Sequence, residues 1–110
     1  MNEEFLKRVK LDRTSGWVVH QVTAMQNAGY QRFAATGKAT NVVVAFGEEI
    51  YRDLLEREPE RFKQREEHIT FVVDLREDGL YHDVEVLVSD YLKPRDVIVY
   101  SDTLMLAQTP

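Results

Sequence analysis

The sequence predicts one small α+β domain, a single-layer sheet of about four strands that contains an antiparallel hairpin and is packed by two to three helices. Three observations predict it. Residues 42–46 form a continuous apolar run, Val42, Val43, Val44, Ala45 and Phe46, followed by the amphipathic stretch that begins at Glu48. Two stretches of alternating apolar and polar residues then flank an Asp78-Gly79 step. At 110 residues the chain suits one core, and 44% hydrophobic residues exclude a disordered class.

Asn2 can cap a first helix, with Glu3 and Glu4 at its positive end and Lys7, Arg8, Lys10 and Arg13 toward its negative end. Residues 1–14 therefore read as an N-terminal arm or short helix. Thr14 or Ser15 can cap a second helix that carries Trp17, Val18, Val22 and Met25 along one side and stops at Gly29. Residues 31–38 read as a connection, with Tyr30 and Phe33 as anchors.

The run at 42–46 is too short for a helix and rich in β-branched residues, as a strand covered on both faces would be, so it is expected at the centre of the sheet. Gly47 turns the chain into a helix with Ile50, Tyr51, Leu54 and Leu55 inward, and Glu48 with Arg52 and Asp53 with Arg57 stand in the favourable i, i+4 order. Pro59 ends this helix or opens a further turn over residues 60–66, where Phe62 is the expected core contact. Ile69, Phe71 and Val73 alternate with Thr70, Val72 and Asp74. After Gly79, Val84, Val86 and Val88 alternate with Asp83, Glu85 and Ser89. A turn at Lys93, Pro94, Arg95 and Asp96 leads to a last strand, Val97 to Tyr100.

A net charge of −5 argues against nucleic acid as the primary ligand, and the basic residues near the start complement a helix dipole. The absence of cysteine excludes disulfides and thiolate metal sites, and fits a cytoplasmic protein or one assembled from the cytoplasm into a virion. No run approaches the about 18 apolar residues that a membrane span requires. The scattered glycines form no phosphate loop, and no serine sits in a nucleophile elbow. No cofactor is expected.

Asp74, Asp78, Asp83 and Glu85 gather around the hairpin in sequence, and carboxylates on adjoining strands are what a metal-dependent nuclease or hydrolase uses to hold a divalent cation. The lysine that such a site usually carries is replaced by Leu87, and alternation of polar residues is also what a half-solvated strand shows. Asp74, Asp83 and Glu85 are therefore a secondary candidate. His20, His68 and His82 match no zinc spacing.

The segments AMQNAGYQRF, TNVVVAFGEEIYRDLLE and YHDVEVLVSDYLKPRDVIVYSD resemble part of the tailed-phage major capsid proteins of the HK97 fold. The corresponding places are residues 25–29, 42–45, 50–55, 84–90 and 94–100. The chain departs from that family in its length, which leaves no room for the long extended loop and peripheral domain, and in lacking Gly-x-Pro before the Val-x-Val strand. The resemblance implies a non-enzymatic protein that works by assembly, with itself or virion proteins as partners, and it carries over no catalytic residue. Phe5, Trp17, Tyr91, Leu104 and Met105 are the candidate contact residues. The competing expectation is a small phage-encoded regulator or inhibitor whose acidic surface covers a basic site on a host protein.

Overall fold

The computed structural model describes residues 3–37, 41–75, 81–102 and 106–108, with the side chains of residues 4–12, 75, 81, 106 and 107 left out of the description. It is an α+β fold: helix α1 (Glu3–Thr36), strand β1 (Val42–Phe46), helix α2 (Glu48–Arg57), a 3₁₀ turn (Pro59–Arg61), and strands β2 (Phe62–Arg65), β3 (His68–Leu75), β4 (Tyr81–Val88), β5 (Val97–Ser101) and β6 (Leu106–Gln108). The strands form one mixed sheet in the order β2-β3-β4-β1-β5-β6. The apolar run at Val42–Phe46 is interior, parallel to β4 on one side and antiparallel to β5 on the other. β3 and β4 pair antiparallel from Leu75↔Tyr81 to Thr70↔Glu85, with a bulge between Val72 and Asp74. The Asp78-Gly79 step that would join them lies outside the described residues.

Both helices lie on one face of the sheet. Val18, Val22 and Met25 from α1 and Ile50 and Leu54 from α2 pack on Val42, Val44, Phe46, Phe71, Val73, Val84, Val86, Val97 and Val99. Phe46 is the hub, its ring 6.0 to 6.2 Å from those of Tyr51, Phe62 and Phe71. Phe62 meets Tyr51 and Phe71 edge-on at 5.4 and 5.7 Å, an arrangement favoured by the ring quadrupoles.

Several sequence expectations are corrected. The arm or short helix expected over residues 1–14 is, from Glu3 onward, continuous with the next helix, because α1 runs unbroken through Gly16 and Gly29. Ser15, Val18, Val22, Met25 and Gly29 recur at three- and four-residue spacing and are all buried, so burial of one stripe outweighs the two glycines. Ser15 is not a cap but donates to Glu58 Oε2 at 2.5 Å. The connection expected at 31–38 is helical as far as Thr36. The turn expected over 60–66 is edge strand β2, whose Phe62, Lys63, Gln64 and Arg65 pair with Phe71, Thr70, Ile69 and His68. Leu55, expected inward, is 40% exposed, and Val88, on the face of Val84 and Val86 by alternation, is 45% exposed.

The start of α2 fixes the loop before β5. Gly47 lacks a side-chain cap, but its N–H donates to Asp96 O at 2.8 Å and the Ile50 N–H donates to Pro94 O at 2.9 Å. The loop carbonyls thus satisfy N–H groups that a helix start otherwise leaves without partners. The approach requires glycine: a Cβ at Gly47 would stand 2.6 Å from Pro94 C and closer still to the Lys93 carbonyl oxygen. Arg95 clamps the same junction from outside, reaching Glu49 Oε1 at 2.9 Å and Asp53 Oδ2 at 2.8 Å. Asp53, which the sequence spacing offers to Arg57, thus also holds Arg95, and the Glu48–Arg52 pair forms as the spacing predicts, at 3.6 Å.

The two glycines give opposite predictions. Gly16 is exposed, helical and clear of neighbours, so Gly16→Ala raises unfolding free energy by about 0.5–1 kcal/mol. Gly47→Ala lowers it by about 3 kcal/mol through overpacking and lost backbone bonds. Urea titration of both variants checks the pair.

Candidate functional site

The face of the sheet away from the helices carries a polar cluster built by register. Thr70 on β3 stands opposite Lys63 on β2 and Glu85 on β4, and Val72 stands opposite Asp83. Asp83 Oδ2 accepts from Thr70 Oγ1 at 2.6 Å and from Arg65 Nε at 2.8 Å. Burial pushes the Asp83 carboxyl up, but the hydrogen bonds from Thr70 and Arg65, with the charges of Arg65 and His82, outweigh it and hold it below the usual range. One oxygen of this carboxylate is therefore already committed to two donors.

Asp74 and Glu85 do not join it in one centre. Glu85 is level with Thr70 and Asp74 with His82, so about 10 Å of strand separates them. His20, His68 and His82 are exposed and lie on three different elements. Among the described residues, no three histidine or carboxylate side chains come together to hold a metal ion. The cluster is a cross-strand tie, and Arg65 and Thr70, its donors, were not singled out by sequence because neither is close to Asp83 along the chain.

At the bulge, a second chain of bonds ties the 3₁₀ turn and α1 to β3. Arg61 Nη1 donates to Val72 O at 3.1 Å, its guanidinium sits 5.8 Å over the Phe71 ring, and Glu58, the acceptor of Ser15, is 3.9 Å from Arg61 Nε. Arg61 thus supports the bulge from the edge.

The contact candidates divide. Trp17 is half-buried and packs against the core, so its substitution acts first on stability. Phe5 is on α1 with its side chain outside the description, and Leu104 and Met105 lie outside the described residues. Tyr91 is 99% exposed, at the start of the loop that the α2 N-terminus holds, and its N–H donates to Ser89 Oγ at 3.2 Å. Just before it, Leu87 and Val88 are also exposed, and Tyr30 and Phe33 are exposed near the end of α1. The exposure of Leu87 and Val88 had no sequence signal, because alternation assigns a face and not what covers it.

The chain matches no family model, no curated protein and no solved structure. Among the described residues, no helix is long and apolar enough to cross a membrane.

The Asp83 tie has a defined pH signature. Its folded-state carboxyl lies below the unfolded value of about 3.9, so its stabilisation is complete above that pH and is lost as pH falls through the folded value. Asp83→Asn is expected to cost about 1–2 kcal/mol at pH 7, discounted for the exposure of Arg65, and to flatten the loss of stability below about pH 4. Denaturation of both proteins between about pH 2.5 and about pH 7 checks the sign.

Proposed function

We propose that this chain is a non-enzymatic assembly protein that acts through contacts with copies of itself or with partner proteins, in the class of viral structural components that the capsid-like sequence pattern implies. The observation that carries the reading is Tyr91, fully exposed on a loop pinned to the start of α2 and directly preceded by exposed Leu87 and Val88. An aromatic side chain supplies large contact area at low rotamer cost, and a pinned loop has less freedom to lose on binding. Asp83 is engaged by two donors, and among the described residues no three carboxylates or histidines come together, so the carboxylates add no support to a metal-dependent reaction. Charged residues around the exposed apolar ones provide the polar rim that such contacts need.

Sedimentation over a wide concentration range tests the proposal. Self-association is expected to weaken about tenfold or more in the double variant Leu87→Ser/Tyr91→Ser, with the melting temperature little changed because both side chains are exposed. A chain that stays monomeric near millimolar concentration overturns self-assembly and favours the regulator that covers a basic partner.

A further inference from the structure

Tyr91 projects from a fixed turn. Its side chain is 99% exposed, and its N–H donates to Ser89 Oγ at 3.2 Å. Two residues on, the Lys93 carbonyl accepts from the Asp96 N–H at 3.0 Å, and the Pro94 and Asp96 carbonyls accept from the N–H groups of Ile50 and Gly47. Lys93 is exposed as well, so the turn presents an aromatic ring and a positive charge two residues apart.

Beside the turn the sheet holds a recess. Between the β2–β3 connection and the last residues of β4 lies an open groove of about 440 Å³, whose walls include the apolar side chains of Ile69, Leu87 and Val88 and the exposed carboxylates of Glu67 and Glu85. That volume is in the range that holds small organic groups, and so has room for a phenol ring. Val88 is three residues before Tyr91, which keeps ring and recess within about 11 Å of each other along the chain.

We propose that the groove receives Tyr91 of a second copy of this chain, in a two-fold contact to which each copy gives its turn and its groove. A closed contact between identical chains needs one patch that is complementary to itself, and here projection and recess share a patch. The ring matches the apolar walls, and Lys93 meets Glu67 and Glu85. Asp90 precedes the ring and Lys93 follows it, so the approach turns Lys93 toward those carboxylates and Asp90 away from them. With a net charge of −5, two copies repel over much of their surface, and a lysine set against two carboxylates selects this approach over others. Burial of two tyrosines and the walls that receive them covers about 800 Å², the size of a weak pairing, which forms at about 0.1–1 mM protein. The inference rests on the contact-making function proposed above and names the surface that Tyr91 meets.

Sedimentation equilibrium of the full chain compares Lys93→Glu, Glu67→Lys/Glu85→Lys and an equimolar mixture of the two variants at the same total concentration. Alone, each variant sets like charges against each other in both halves of the contact, and self-association is expected to weaken about tenfold. In the mixture both halves again pair opposite charges, so association is expected to return to within about threefold of the unaltered chain. All three side chains are exposed, and equal melting temperatures check that the fold is kept. A mixture that associates no better than its components overturns the inference, as does an unaltered chain that stays monomeric near millimolar concentration. If Leu87→Ser/Tyr91→Ser weakens assembly while the mixture fails to recover, docking in the groove alone is wrong and the assembly reading stands.

Discussion

The placement of Phe46 is the constraint on which the structure depends. Its strand is hydrogen-bonded along both edges, its ring meets three other aromatic rings, and the next residue is the glycine against which the β4–β5 loop closes. Loss of its contacts would disturb α2, β2, β3 and that loop together. The Arg95 clamp and the Asp83 tie then lock what Phe46 has brought into place. Both are partly exposed ion pairs, so they trim geometry and contribute less than the buried rings.

The elements that sequence made legible are those whose own side chains contain the reason for their conformation. Val42–Phe46 is apolar on both faces because the strand is interior, and Val84 and Val86 alternate with Asp83 and Glu85 because helices cover only one face of β4. Edge strand β2 was not legible: Lys63, Gln64 and Arg65 carry the charge that protects an edge, which is also the pattern of a solvated helix face. The continuity of α1 was hidden because Ser15 and Gly29 are local stop-or-start residues, and only the sheet beneath them makes the buried stripe decisive.

The site was legible as chemistry but not as geometry. Asp83 stands out as a carboxylate on a strand, yet its meaning comes from Arg65 and Thr70, which strand register delivers from 18 and 13 residues away. Tyr91 could be named as a contact residue, whereas its full exposure depends on how Gly47 and Ile50 hold the loop that follows it. Leu87 and Val88 illustrate the converse, since alternation predicts their faces but the departure of β3 from β4 leaves them uncovered.

Helix α1 runs on past the last residue that it buries, since none of residues 30–36 is buried. Its 34 residues extend about 51 Å. The buried stripe from Ser15 to Gly29 accounts for about 21 Å of that. A continuous helix is stiff on this scale, so the turns beyond Gly29 hold the exposed Tyr30 and Phe33 at a fixed place relative to the sheet. One residue inserted between Gly29 and Tyr30 would move these two rings by about 1.5 Å along the axis and rotate them by about 100° about it.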